Sequence, residues 1–345
     1  MNEKLLDALA CPRCYGELSC RRDALGADGD IVSGTLDCSG CTGSYPITAG
    51  IPRFTADEGY ASSFGYQWTE FKSEQLDSVN GFDLSERRLF SETGWSREWM
   101  SGKWILDAGC GAGRFLDVAS QHDCDVVGVD LSDSVDAARA TLADRPNVHL
   151  VQASIYALPF RPGWFDGCYC IGVIQHTPDP HRALETLPRF VRDGGRIAMS
   201  IYERKPWTLL YSKYIVRRLT TRMDHRRLLT LIKLAMPVLF PITEIGFRLP
   251  IVGRVVRFVI PVSNYVGVNT RTSPGLSLRE RYRWALMDTF DMLAPSYDQP
   301  QTQSEVTEVL ERSGVKDLVR TSEDVALCLS GKVQRSALAN QSGSI

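Results

Sequence analysis

The stretch Trp104-Ile-Leu-Asp-Ala-Gly-Cys-Gly-Ala-Gly-Arg-Phe115 constrains the fold more than any other part of the chain. A short apolar run ends in a loop with glycines at 109, 111 and 113. Glycine lets a backbone turn sharply, approach a ligand closely and present amides at a helix N-terminus. Seventeen residues past Gly113, a second apolar run, Val126–Asp130, ends in an acid. A carboxylate at that point can accept ribose hydroxyls at the edge of a doubly wound sheet. A glycine loop alone says little. Strand, loop, helix, strand and acid in order specify a parallel βαβ unit with a nucleotide-type site.

The rhythm continues through residue 202. Val148–Ala153, Phe165–Ile171 and Arg196–Ile201 read as further strands, with helices starting near Gly113, Ser132 and Pro180. Ser132-Asp-Ser134 is placed to cap the second helix, with Asp136 in its first turn, and Gly194-Gly195 forms a turn into the fifth strand. Alternating strands and helices predict an α/β, doubly wound, mostly parallel sheet.

The dinucleotide fingerprint needs a small sixth residue, but Arg114 stands there. Asp107 would repel a pyrophosphate and instead suits a cation such as an amino group. Ile105–Phe115 closely resembles motif I of class I S-adenosylmethionine-dependent methyltransferases. Gln152-Ala-Ser-Ile-Tyr-Ala-Leu-Pro-Phe160 resembles their adenine-binding loop, and Phe165–His176 their fourth motif. The likeness covers about residues 100–202. It implies a seven-stranded, Rossmann-like sheet with S-adenosylmethionine on Asp107, Gly109, Cys110, Gly111, Gly113, Asp130, Leu131, Ser154, Ile155 and Ile171. Ser154 departs from the aspartate usual in the adenine loop, so a hydroxyl replaces a carboxylate there. Thr302–Arg312 reads as a helix stopped at Gly314, and strands near Val315–Thr321 and Val325–Ser330 would form the antiparallel edge of that fold.

Near the N-terminus, Cys11-Pro-Arg-Cys14 and Cys38-Ser-Gly-Cys41 form two C-x2-C knuckles 23 residues apart. Two such turns aim four thiolates at one tetrahedral ion, which favours structural Zn2+. Two disulfides or free thiols are the alternatives. The N-terminus has no signal-peptide pattern, and the remaining cysteines are scattered through apolar segments, so a reducing, cytoplasmic setting fits better. Cys20 is off the knuckle spacing and is not a ligand. Leu5–Cys14 with Tyr45-Pro-Ile-Thr-Ala-Gly-Ile-Pro-Arg53 resembles the zinc ribbons related to methyltransferase activator subunits. Such ribbons occur alone or fused ahead of a methyltransferase.

Phe64, Trp68 and Phe71 recur at helical spacing and predict a helix packed on the sheet. The resemblance places such a segment over the cofactor, with Gln67 or Tyr66 toward its methionine end. Residues 205–260 break the βα rhythm, carrying eleven Lys/Arg against Asp224 and Glu244, about +9. With Leu228–Leu239 and Ile251–Ile260 strongly apolar, this insert can lie on an anionic membrane, cover a hydrophobic acceptor, or form a helical subdomain with solvated arginines. Nucleic acid is disfavoured, because the basic residues alternate with aliphatic rather than stacking aromatic residues and the whole chain is at −2. No unbroken apolar run reaches the roughly 18 residues of a membrane span. The expected organisation is a ribbon (1–55), a helical cap (56–103), the core (104–204 and 288–334), the insert (205–287) and a flexible end (335–345).

His176 follows the fourth strand at the sheet's carboxyl edge, where open α/β folds place ligands, and is the candidate general base. Tyr297 and Asp298 are lesser candidates. With Asp288 and Asp291 they resemble an acceptor-binding segment. The leading reading is methyl transfer from S-adenosylmethionine to O, N or C of a small or lipid-like biosynthetic intermediate. An RNA methyltransferase guided by the ribbon and a non-catalytic cofactor-binding partner are the alternatives.

Overall fold

Two sheets share one hydrophobic core in this computed structural model, which describes residues 1–26, 29–55, 59–71, 75–264, 276–322 and 326–335, without the side chains of 68 and 69. The end expected to be flexible lies, from residue 336 on, outside the described residues. The smaller sheet follows helix α1 (Glu3–Ala8) and runs antiparallel in the order β1 (Leu18–Leu25), β2 (Ile31–Cys38), β3 (Ser44–Thr48), β4 (Ile51–Pro52). Helices α2 (Ser62–Glu70), α3 (Asp77–Asn80), α4 (Leu84–Thr93) and α5 (Arg97–Met100) lead to the large sheet.

The large sheet contains β5 (Trp104–Ala108), β6 (Asp125–Asp130), β7 (Val148–Gln152), β8 (Phe165–Ile171), β9 (Val191–Ile201), β10 (Val315–Ser322) and β11 (Leu327–Val333). Its order is β10-β11-β9-β8-β5-β6-β7. The five strands from β5 to β9 are parallel; β11 runs antiparallel to β9, and β10 antiparallel to β11. The closing hairpin is thus placed as expected, although its second strand begins at Leu327. Helices α6 (Arg114–Ala119), α7 (Ser134–Thr141) and α8 (Pro180–Thr186) connect the parallel strands. The insert forms α9 (Ser212–Thr220), α10 (His225–Gly246) and α11 (Pro250–Val259); α12 (Leu278–Leu293) and α13 (Gln303–Arg312) follow.

Three local expectations differ in detail. Gly194-Gly195 is not a turn ahead of the fifth strand: β9 already starts at Val191, and the register slips between Phe165 and Gly167 as the chain passes the glycines. Within Ser132-Asp-Ser134 it is Asp133 that takes the N-cap position of α7, and its side chain makes no capping hydrogen bond. The Ser132 hydroxyl instead donates to Asp130 Oδ1 at 2.7 Å, where a carboxylate is the stronger acceptor. Despite its interruptions, α10 is one 22-residue helix, long and apolar enough by length and composition to cross a membrane.

The ribbon does not stand on a core of its own. Leu5, Leu9, Ile31, Leu36 and Ile47 belong to the same buried cluster as Leu106, Val127, Phe160, Phe165 and Phe190 of the large sheet. Leu9 pairs with Phe160 across an antiparallel bridge, and Ala10 N donates to the Pro159 carbonyl at 2.9 Å. Arg53 closes the other end. Its guanidinium reaches Gln152 Oε1 at 2.7 Å and Asp136 Oδ1 at 2.6 Å, and Phe54 N donates to the Gln152 carbonyl. Residue 55 therefore marks a change of sheet within continuous packing.

Candidate active site

The four knuckle cysteines come together first. Their Sγ atoms all lie within 4.8 Å of one another, with Cys11–Cys41 at 3.6 Å and Cys14–Cys38 at 3.4 Å. A tetrahedral zinc with Zn–S bonds of about 2.3 Å sets its sulfurs about 3.8 Å apart, so the set fits that ion with little adjustment. The Gly40 amide donates to Cys38 Sγ at 3.3 Å, and the Tyr45 hydroxyl lies 3.2 Å from Cys11 Sγ. Both are donors suited to thiolates. Cys20 stands outside the cluster. Four protein ligands leave no open position, so the ion would be structural.

The second site lies at the carboxyl edge of β5, β6 and β8, in a cavity of about 680 Å³. The glycine loop makes its floor. Gly109 has φ +88°, and a Cβ there would meet Val173 at 2.4 Å, so only glycine fits the close pass between the loop and the segment that follows β8. Gly128 on β6 gives the loop room from below: a Cβ there would meet Cys110 Sγ at 2.9 Å. Asp130 lines the cavity in a fixed pose, with Oδ2 accepting from the Gly111 amide at 2.9 Å and Oδ1 from the Ser132 amide at 2.9 Å. Leu131, Ala153, Ile155 and Leu158 form an apolar wall beside it. Gly109, Cys110, Gly111, Ile171 and Gln67 also line the cavity.

Other expected contacts stand back from it. Gly113 is the left-handed N-cap of α6, at φ +92°. Ser154 turns its hydroxyl to the Tyr156 amide at 3.3 Å. Asp107 is fully buried beside Tyr169, with neither Asp107 Oδ2 nor the phenol completing a hydrogen bond. Burial above all, and then Asp130, push the Asp107 carboxyl well above the usual carboxylate range, while the Tyr169 hydroxyl pulls it back.

The cavity's opposite side comes from α2, α4 and α12. His176 is buried, with its ring 5.3 Å from Phe64 and 5.5 Å from Tyr202. Its Nδ1 lies 2.9 Å from the Tyr297 carbonyl oxygen, an acceptor only. Nδ1 therefore carries the proton, and Nε2 of the neutral ring is left as the basic atom. Tyr297 thus acts on His176 through its backbone, while its phenol is partly exposed against Tyr60 and off the cavity. Asp298 is committed to Lys213 at 2.8 Å, an ion pair that fastens α9 beyond the end of α12.

Asp288 and Asp291, one turn apart on α12, both line the cavity. Burial, then Asp291, push the Asp288 carboxyl from 3.8 up to about 7, against the pull of Arg114 and Arg88. Asp291 is also raised, chiefly by burial, while His176 and a hydrogen bond from Gln67 pull it down. An unfolded Asp288 ionises near pH 4 and the folded one near 7, so stability falls as pH rises through that window and no further above it. Asp288→Asn is expected to raise the Tm at pH 8, by stability on the order of 3 kcal/mol, with the gain vanishing below pH ~4. Equal melting shifts at both pH values would contradict the assignment.

Arg88 and Glu92 on α4, joined at 2.7 Å, line the cavity too, as do Arg114 and Lys213. No motif announces Arg88 or Glu92, because α4 is brought to the site only by tertiary packing. Arg114 excluded a dinucleotide in the sequence, yet it also reaches the Ser85 hydroxyl at 3.0 Å and stacks on Trp284.

This glycine loop, ribose-ready acid and reversed terminal hairpin define the S-adenosylmethionine-dependent class of methyltransferases. Residues 106–199 match the family described as methyltransferase domain, and residues 2–50 the family described as Trm112p-like protein. A ubiquinone biosynthesis O-methyltransferase of Albidiferax ferrireducens is 26% identical over 175 residues, 47% of this chain and 64% of that protein. O-methyltransferase rstn1 of Aspergillus nomiae is 30% identical over 160 residues, 41% of this chain and 71% of that protein. The chain spans 64%, 54% and 51% of the first three curated relatives, all ubiquinone biosynthesis O-methyltransferases. Among solved structures, the complex of the Haloferax volcanii Trm112 methyltransferase activator with a methyltransferase aligns at TM-score 0.44 and 12% identity, covering 79% of this chain and 97% of that one. The chain belongs to the class I methyltransferase family and carries a methyltransferase-activator-like ribbon at its N-terminus.

Proposed function

We propose that the protein transfers a methyl group from S-adenosylmethionine to an oxygen of a small, partly apolar acceptor. The observation carrying this reading is one cavity with the glycine loop and Asp130 at one end and His176, Asp288 and Asp291 at the other. The cofactor supplies an electrophilic methyl on a sulfonium. Asp130 would hold its ribose, Leu131 and Ile155 its adenine, and Gln67 its methionine end. The protein's own work is alignment, exclusion of water by the packed faces of α2 and α12, and removal of one proton.

His176 Nε2 would take that proton from the acceptor hydroxyl. Tyr297 sets the tautomer through its carbonyl, and the Asp291 carboxylate stabilises the imidazolium that forms. Asp288 near neutral pH can donate as well as accept a hydrogen bond, which suits an oxygen-bearing acceptor. The oxygen preference is supported by the O-methyltransferase names of the curated relatives. A cytoplasmic setting is supported by the gathering of four of the ten cysteines into one candidate metal cluster.

Incubation with labelled S-adenosylmethionine and a panel of phenols, amphiphilic extracts and bulk RNA tests the reading. Label in a phenolic or amphiphilic product supports it; label only in RNA, or cofactor binding with no turnover at all, overturns it. His176→Gln is expected to lower kcat about a hundredfold or more while leaving affinity for S-adenosylhomocysteine unchanged. An unaltered kcat would remove His176 from the chemistry.

A further inference from the structure

The insert leaves an apolar surface uncovered. Along α10, Leu231, Leu234, Val238, Ile242 and Ile245 follow a helical spacing of 3, 4, 4 and 3, and each is 45–72% exposed. The opposite face of the same helix, Leu228, Ile232, Met236 and Phe240, is buried in one cluster with Trp284 and Phe290 of α12. Helix α11 repeats the pattern, with Ile251, Val255 and Val259 exposed at intervals of four. It is seated on α10 through Gly253, where a Cβ would meet the Gly246 carbonyl at 3.0 Å. Trp207, Leu209 and Leu210 before α9, and Ile215 and Leu219 on it, are exposed as well.

Charge decides what such a surface fits. Arg218, Arg222, Arg227 and Arg254, on or between the same helices, are exposed as well. The two acids of residues 205–260 are both engaged: Asp224 caps α10 by accepting from the Arg227 amide, and Glu244 is buried against Arg248 and Arg281. A second copy of the chain would bring arginines against arginines with no carboxylate to meet them. An anionic lipid surface supplies both the apolar layer and the negative charge.

We propose that α9–α11 are an in-plane docking face for an anionic membrane. The protein lies on the bilayer and does not span it. One side of α10 is tied into the protein by its contacts with α12. Pro237 and Pro241 also leave the Lys233 and Pro237 carbonyls without helical donors, which hydrated headgroups tolerate and hydrocarbon does not. Directly behind this face, α12 carries Asp288 and Asp291 into the cavity. Resting on the methyl-transfer reading, docking would draw the acceptor from the lipid phase; the docking itself is independent of that reading.

Co-flotation of the full chain with vesicles tests the proposal, using phosphatidylcholine alone or equal parts phosphatidylcholine and phosphatidylglycerol. Recovery is expected with the anionic vesicles, falling with salt, and not with the neutral ones. Leu234→Asp with Val238→Asp, and separately Arg222→Ala with Arg254→Ala, should each weaken it about tenfold or more. Calorimetry with S-adenosylhomocysteine checks that each variant keeps its fold, and it tests the cofactor reading separately from docking. Equal recovery on both vesicle types, no recovery on either, concentration-dependent self-association abolished by Leu234→Asp, or capture of bulk RNA in place of vesicles would each overturn the proposal.

Discussion

Asp130→Ala is expected to weaken binding of S-adenosylhomocysteine about a hundredfold, a loss of about 3 kcal/mol. The carboxylate has two tasks, and alanine removes both. On the proposed reading it would offer acceptors to the cofactor's ribose, and it holds the loop by taking the Gly111 and Ser132 amides at 2.9 Å each. Without it, the loop would lose its tether to the end of β6, so the cradle is no longer set before the ligand arrives. Asp130→Asn keeps one carbonyl acceptor and should fall between the two. Isothermal calorimetry on variants with an unchanged melting transition measures the effect. An affinity equal to that of the parent protein would mean that the nucleoside is held elsewhere.

Metal removal is expected to have the other large effect, on the whole molecule and not on the ribbon alone. Zinc held by four thiolates contributes folding energy directly, and the ribbon's apolar residues complete the core of the large sheet. Stripping the ion with a chelator, or replacing Cys14 and Cys38 by serine, should therefore lower one cooperative melting transition by ~5 °C or more, as a loss of several kcal/mol does in a chain of this size. Burying Leu5, Leu9, Leu36 and Ile47 is worth about 2 kcal/mol each, so exposing the sheet face beneath them compounds the loss. Two separate transitions, with the upper one unmoved, would show that the ribbon is an independent unit. Calorimetry with and without chelator distinguishes the outcomes.

Much of this was legible in the chain itself. The parallel strands, the glycine loop, Asp130 and the knuckles are local patterns, in which a few neighbouring residues dictate both backbone and chemistry. Ser132 shows where locality fails: its sequence context is that of a helix cap, but a carboxylate two residues earlier competes for the hydroxyl and wins. Asp107 fits the same lesson. Its place in the motif suggests contact with a ligand, yet strand alternation turns its side chain under Tyr169 and leaves Ala108 at the cavity. Arg88, Glu92 and the Asp288–Asp291 pair reach the site from helices far apart in sequence, so no window along the chain could bring them together. Tyr297 is subtler still, because the useful atom is a backbone oxygen that any residue would have supplied.

Arg53 connects the two sites. It leaves the last ribbon strand, grips Gln152, and the Gln152 amide in turn donates to the Leu131 carbonyl at 3.2 Å, one residue from Asp130. If loss of the metal loosens Ile51–Arg53, this path would carry the change to the Asp130 loop, and linkage would then make bound cofactor tighten the metal by the same factor. On the methyl-transfer reading, the ion and the methyl donor would then be reciprocal effectors, and a chelator would weaken S-adenosylhomocysteine binding in a calorimetric titration.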